Sequence, residues 1–418
     1  MDSRYVVVGF GATLLGELDG VLPARSVVVL EDPDVIRGRN VRERIRANAC
    51  VGELVEVPVQ VEDDEVDAVV ESVQRPDRVR AVLPGLEYGT VLAAALAESW
   101  GLPGATTDAA RVLRDKHLLR QRAGSAGIPQ PEWELVDDAR SLAAFGSRHP
   151  GGYVVKPTVF QASVGVEILF EGDDVDAAWA RAGAARERGF RAPTATQPQF
   201  LAERRLVGPE LSVEAFVSAA TVVFANVTQK RVTHVSRSRH PVEAGHLVPA
   251  PVPDALRARL VAATTRLVAA TGFHDGVVHA EWIVEDGEPS LVECAGRSPG
   301  DLIPHLIDRA YGTRFAAVLV AVLSGDDVEI GPAVRGSAIT FLQGSPGVLT
   351  SVGGVDEARA VPGVVDLHVD AVVGDRLSEV VSSWQRVGYV VAVGDTAAQA
   401  ERAAQHAEDL LVLTVDTA

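Results

Sequence analysis

In the segment HAEWIVEDGEPSLVECAGR, Glu281 and Glu293 stand six residues to either side of Gly287, each embedded in an apolar run. The turn EDGEP contains a glycine free to adopt positive φ, which predicts a hairpin. Side chains alternate with period two along a strand, so His279, Glu281 and Ile283 share one face and Leu291, Glu293 and Ala295 share another. A register centred on Gly287 then sets the two carboxylates opposite each other, with Cβ atoms about 5 Å apart. Like charges at that distance on apolar strands need a proton or a divalent cation between them. A small set of hard oxygen donors suits Mg2+, which retains waters and accepts substrate phosphates, with Mn2+ as a substitute. A pair facing bulk solvent is the competing reading.

Lysines supply the complementary charge. YVVKPTVFQASVGVEIL places Lys156 at the end of an apolar strand, ahead of a polar turn carrying Ser163 and Gly165. A lysine facing a loop with free amides is better explained by phosphate than by solvation. Lys116, in RDKHLLRQ, reads alone as a solvated helical lysine and gains weight from its company. Further on, Glu203 follows an apolar strand, and Glu210, Ser212 and Glu214 alternate along one face of the next, as polar handles on an apolar slot.

Several kinds of element must position these groups. The first hundred residues alternate Val-rich strands (Tyr5 to Gly9, Ser26 to Leu30, Val55 to Val57, Val79 to Leu83) with Ala-rich helices, which predicts a parallel sheet with helical crossovers. The loop GFGATLLG departs from the spacing of a dinucleotide loop, and its glycines are expected for strand-to-helix packing. Helices are expected over Thr90 to Trp100 and, as one unit, Thr107 to Ala123. From Gly152 onward, strands and hairpins with helices near Ala177 to Arg188 and Leu256 to Ala270 predict α+β structure, and from about Val334 a smaller appended domain ends in a helix over Ala397 to Leu411.

The 418 residues call for two or three domains, and the formal charge of −18 disfavours a nucleic-acid partner. Cys50 and Cys294 lie far apart, in no metal-ligand spacing, and neither is expected to be reactive. The start lacks a basic region followed by a long apolar run, and no apolar stretch is long enough to span a bilayer. A cytoplasmic, unexported protein with no membrane partner is the expectation, and a homodimer is the oligomeric expectation for a soluble enzyme.

Taken in order, LPGLEYG, the VVKP strand, the SVGV loop, GPELSVE, GHLVPAP, the HAE strand, VECAGRSPGD and PHLIDRAYG resemble the ATP-grasp superfamily of carboxylate-amine ligases, nearest to its dipeptide-forming L-amino acid ligases. The resemblance implies an α/β and α+β multidomain fold. It comprises a Rossmann-like pre-ATP-grasp domain over residues 1–112, a two-lobed ATP-grasp domain over 113–330 (small lobe about 113–202, large lobe about 203–330) and a small C-terminal α+β domain over 331–418. It also implies that Lys116, Lys156 and Ser163 meet ATP phosphates, that Glu203, Leu206 and nearby backbone hold adenine, and that Glu210 holds the ribose. Glu281 and Glu293 would bind magnesium. Glu243 and His246 would line the amino-acid site, Glu243 meeting the ammonium of the first amino acid, while Arg297 and Gly300 would handle the carboxylate and its acyl phosphate. Two positions depart from the family: Ala295 stands where many relatives have an asparagine ligand, and bulky Phe160 and Gln161 sit in the phosphate loop.

The implied activity is ATP-dependent amide or peptide bond formation between an amino acid and an amine, releasing ADP. Lys156, Arg297 and Gly300 are the expected catalytic groups, His246 is one candidate for the base, and the loop from Pro157 to Ser163 is expected to close over the nucleotide. Two alternatives stand beside it. One is a carboxylase acting through carboxyphosphate; the other is an ATP-binding protein without turnover, motivated by Ala295.

Overall fold

The computed structural model describes residues 4–61, 64–161, 163–186, 199–233, 242–380 and 383–416. The expected loop Pro157 to Ser163 and helix Ala177 to Arg188 therefore fall partly outside the described residues, at Ala162 and at 187–188.

Near the N-terminus, β1 (Arg4–Val8), β2 (Val27–Glu31), β3 (Val51–Glu56) and β4 (Val79–Pro84) form a parallel sheet in the order β3-β2-β1-β4. β2 is buried along its whole length, as β-branched strands covered on both faces must be. Gly9 has φ +89°, and a Cβ on Gly11 would lie 2.3 Å from the Gly85 carbonyl oxygen, so these glycines serve the close approach of two loops. The amide of Phe10 donates to the buried carboxylate of Glu31, which also accepts from the Asp32 amide and the Tyr88 hydroxyl. A buried side-chain carboxyl thus takes the Phe10 amide of this loop.

The small lobe is a sheet of β5 (Trp133–Val136), β6 (Tyr153–Pro157), β7 (Glu167–Leu169) and β8 (Phe200–Arg204), in the order β5-β8-β6-β7, over its own core of Val136, Phe145, Val155 and Leu169. The large sheet is antiparallel. Its members are β9 (Glu210–Ser218), β10 (Thr221–Thr233), β11 (Val242–Val248), β12 (Gly276–Glu285) and β13 (Glu288–Ala295), continued by C-terminal strands. The last segment supplies β14 (Gly336–Gln343), β15 (Gly347–Gly353), β16 (Val364–Val369), β17 (Arg376–Leu377), β18 (Arg386–Gly394) and β19 (Val412–Asp416). The order β13-β12-β9-β10-β11-β14-β18-β16 shows that three of these extend the large sheet past residue 331, and one core joins Val7 and Leu15 to Phe216, Ile339 and Val391.

Among the expected helices, Thr107 to Ala123 is corrected. It is two helices, Thr107–Arg114 and Lys116–Ser125, broken at Asp115, whose extended backbone and carboxylate cap the second helix through the His117 and Leu118 amides. Lys116 is therefore a first-turn residue facing inward rather than a mid-helix residue facing solvent. The mixed α/β multidomain architecture is otherwise that expected from the sequence, and no helix among the described residues is long and apolar enough to cross a membrane.

Candidate functional site

Glu281 and Glu293 are cross-strand partners on β12 and β13. The turn is not centred on Gly287, however. Glu285 pairs with Glu288 across Asp286 and Gly287, both with positive φ. That register alone would have set Glu281 against Val292. A bulge after Trp282 leaves Val292 without a partner and restores the acid pair. The released Val292 carbonyl accepts from the Arg120 guanidinium at 2.8 Å.

The compensation expected from a metal is already present as protein cations, which corrects that part of the sequence argument. Lys230 Nζ lies 2.7 Å from Glu281 and 3.0 Å from Glu243, His279 Nε2 lies 3.1 Å from Glu281, and Lys116 Nζ lies 3.2 Å from Glu293. Glu214, fully buried beneath, accepts from Ser212, Asn226 and Thr228 and holds His279 through Nδ1 at 3.0 Å. Burial opposes the charge on His279, but Glu214 and Glu281 outweigh it and push its pKa up to about 9. Burial likewise opposes ionisation of Glu281, and Lys230 and His279 hold it well below the ordinary carboxylate range.

The Glu281 and Glu293 side chains are 29% and 32% exposed, so neither is closed off by its cation partners. A pair of part-exposed carboxylates offers the hard oxygen donors that suit Mg2+. Ala295, 3% exposed, brings no donor.

The helix Lys116–Ser125 bridges the two lobes. Lys116 donates to the Phe160 carbonyl at 2.6 Å on the small-lobe side while facing Glu293 on the large one. Arg120 grips both oxygens of Glu203 at 2.8 and 3.2 Å, and Lys156 adds a contact at 2.8 Å. Burial alone would raise Glu203; these two cations and their hydrogen bonds overcome it and hold the group near 2. Glu203 is thus a closed clamp, with both oxygens held by protein cations. Lys156 is lowered by burial despite Glu203. Glu210, first in β9, is pushed up to about 7, chiefly by burial, with Lys230 opposing and Glu281 and Glu243 adding to the rise.

Ser163 has φ 58° in the loop after Lys156, and Leu206 follows β8. Arg297 Nε donates to Glu87 Oε2 at 2.6 Å and its Nη1 to the Ser298 carbonyl, so Arg297 is anchored to the turn that follows β4 rather than grouped with the lysines. Gly300 begins the turn into the helix Ile303–Tyr311. Glu243 and His246 meet on β11 beside Asp301, each carboxylate 3.6 Å from His246 Nε2. Both cysteines are buried, which raises their thiol pKa and makes them poor nucleophiles.

Sequence reasoning missed Glu87, Lys230, Asp301 and Arg386 as site residues. Lys230 had a signal, a lysine late in the apolar run TVVFANVTQK; Arg386, from the far C-terminus, had none.

Parts of the chain match known proteins. Residues 150–304 match the model of the ATP-grasp domain, and residues 339–416 match that of L-amino acid ligase C-terminal domain 2. An uncharacterized protein, y4rH, of Sinorhizobium fredii is 24% identical over 77% of this chain and 64% of its own length. Alanine–anticapsin ligase of Bacillus subtilis is 23% identical over 56% of this chain and 52% of its own. The chain thus spans between about half and two thirds of the length of these curated relatives. The crystal structure of an L-amino acid ligase from Bacillus licheniformis superposes with a TM-score of 0.78 at 17% identity, covering 100% of both chains. That of N5-carboxyaminoimidazole ribonucleotide synthetase from Thermotoga maritima gives 0.68 at 16%, covering 99% of this chain and 100% of its own. The chain is thus similar to ATP-grasp domains over residues 150–304 and to the second C-terminal domain of L-amino acid ligases over residues 339–416.

Proposed function

We propose that this protein joins the carboxylate of an amino acid to an amine, using ATP to form an acyl phosphate. One observation carries the reading: two part-exposed glutamates, Glu281 and Glu293, pair across strands with Lys116 at 3.2 Å from Glu293, while Lys230 joins Glu281 to Glu243 beside His246. A carboxylate resists amine attack because its oxygen leaves poorly. Attack of that oxygen on the γ-phosphorus breaks the bond to ADP and creates a phosphate leaving group. Nitrogen then attacks the carbonyl carbon, the carbon–oxygen bond to phosphate breaks, and the amine gives up a proton.

The chain's own task is positioning and charge neutralisation. Lys116 and Lys156 flank the phosphates, the backbone beside Glu203 and Leu206 receives adenine, and Glu210 meets the ribose. Arg297, oriented by Glu87, and Gly300 face the transferring group. Mg2+ held by Glu281 and Glu293 supplies neutralisation of the triphosphate charge when bound. The Ser163 loop and the small lobe exclude water, which matters because acyl phosphates hydrolyse. On this reading 1–112 is the pre-ATP-grasp domain, 113–330 the nucleotide-binding body and 331–418 a domain fused to its sheet.

The test is phosphate release over paired amino acids with mass spectrometry of products. ADP and a condensed product from one pair support the proposal; AMP, or intact ATP with every pair, contradicts it. The likeness to a carboxyaminoimidazole synthetase motivates one other reading, which bicarbonate-dependent phosphate release in the absence of amino acids would favour.

A further inference from the structure

The small lobe carries an open cavity of about 360 Å³, lined by the chain entering β5 and by the end of the helix Ala139–Gly146. None of its lining residues belongs to the site described above. A volume of this size holds a small organic molecule. One wall is aromatic. Phe145 is 1% exposed, the His149 ring lies 4.4 Å from it, and half-buried Trp133 stands edge-on to His117 at 5.4 Å. Such a wall receives an apolar or flat body.

The polar groups of the cavity are unevenly matched. Arg148 is taken: its Nη2 lies 2.6 Å from Glu134, its Nη1 donates to the Ala144 carbonyl at 3.3 Å, and its guanidinium sits 5.3 Å from the Phe145 centroid. Glu132 has one ion pair among the described residues, with His149 Nε2 at 3.6 Å, too long for a hydrogen bond. His149 is 8% exposed, and its imidazole makes no hydrogen bond among the described residues. Gln130 donates its Nε2 to the Arg120 carbonyl at 2.9 Å, and its amide oxygen is buried without a partner. A nearly buried imidazole and an unpaired amide oxygen are costly unless something completes them. The cation is occupied and the acceptors are idle, so what the cavity lacks is a donor that carries positive charge.

We propose that this cavity binds a small molecule with a primary ammonium group on an aromatic or apolar body, and that its occupancy shifts the affinity for ATP. Glu132, with His149 and Gln130, takes the ammonium, and the body lies against Trp133 and Phe145. An anion would instead meet two carboxylates and an arginine already paired with one of them. The coupling follows from what the same residues hold. Gln130 is bonded to Arg120, whose guanidinium grips Glu203, and Trp133 is the register partner of Glu203 across β5 and β8. An occupant that moves Gln130 or β5 therefore acts on the clamp that ties the helix Lys116–Ser125 to the small lobe. The coupling rests on the nucleotide-binding reading; the amine site does not.

The experiment is calorimetric titration of phenethylamine into wild type, Glu132→Gln and Glu243→Gln without nucleotide, with 3-phenylpropionate as the matched anion. Phenylalaninamide is the second probe, and the tighter of the two amines tells a free amine from the amino end of an amino acid or peptide. Thermal unfolding establishes that the variants are folded. The expected result is saturable amine binding that E132Q weakens about 10-fold, that E243Q leaves unchanged, and that phenylpropionate does not reproduce. Saturating phenethylamine should shift the dissociation constant of a non-hydrolysable ATP analogue at least about 3-fold in wild type and not in E132Q. Equal binding by wild type and E132Q, loss in E243Q instead, or preference for the anion overturns the site. An unchanged ATP affinity at amine saturation overturns the coupling. Absence of ATP binding by wild type is a separate result: it removes the nucleotide reading and the coupling, while the amine titration still decides the site.

Discussion

Glu203 and Glu210 bracket a single turn, seven residues apart, yet one is held near pH 2 and the other pushed to about 7. Burial opposes the charge of both. The difference is company: Glu203 faces two cations, Arg120 and Lys156, whereas Glu210 shares one lysine, Lys230, with Glu281 and Glu243. The small lobe therefore uses its acid internally, as a clamp, while the large sheet gathers three carboxylates around one lysine. Under the proposed function, a site that gathers a metal and a triphosphate needs the second arrangement, and a lobe that closes without deforming is served by the first.

The largest effect that would sharpen this contrast is on turnover. Glu281→Gln and Glu293→Gln should each lower amino-acid-dependent ADP release by about 10²- to 10³-fold with an unfolding midpoint near that of wild type. Glu203→Gln should act mainly on stability; if it matched the metal-site variants in turnover while leaving stability unchanged, the division between clamp and open floor would fail.

Removing Arg120 comes next. Arg120→Met leaves a buried glutamate with one cation instead of two and frees the Val292 carbonyl, at a cost of about 3–5 kcal/mol in urea unfolding. A cost below about 1 kcal/mol would mean the clamp contributes little.

The pH dependences of the two regions have opposite sign. Glu203 has a depressed folded pKa, so its contribution is present above the ordinary carboxylate value of 4.5 and is lost as pH falls toward about 2. Wild type should lose about 3 kcal/mol more than Glu203→Gln over that window. Glu210 has a raised folded pKa, so its contribution is present below 4.5 and lost as pH rises through about 7. Glu210→Gln should match wild type near pH 4.5 and exceed it at pH 8 by about 1–2 kcal/mol after allowance for solvent screening. Chemical denaturation across pH measures both.

The acid pair itself was legible in the sequence, because period-two alternation and a glycine turn are local signals. The register came out as expected for a different reason, a bulge at Val292, which sequence spacing does not reveal. The counter-charges were hidden. Lys230 reaches Glu281 from a strand that is not even an immediate neighbour in the sheet, and Arg386 reaches Asp301 across 85 residues of chain. Cross-strand and cross-segment partners depend on sheet order, and antiparallel addition of β14, β18 and β16 to the large sheet carries no local mark. The break at Asp115 was in principle readable, since an aspartate ahead of Lys116 can cap a helix, but the unbroken apolar periodicity on either side masked it.

The most direct measurement is a crystal structure with magnesium and a non-hydrolysable ATP analogue. The account predicts metal density between Glu281 and Glu293 and the phosphates, with Lys116 and Lys156 on the phosphate oxygens. Phosphates bound elsewhere, with both glutamates still paired only to Lys230, His279 and Lys116, would contradict it.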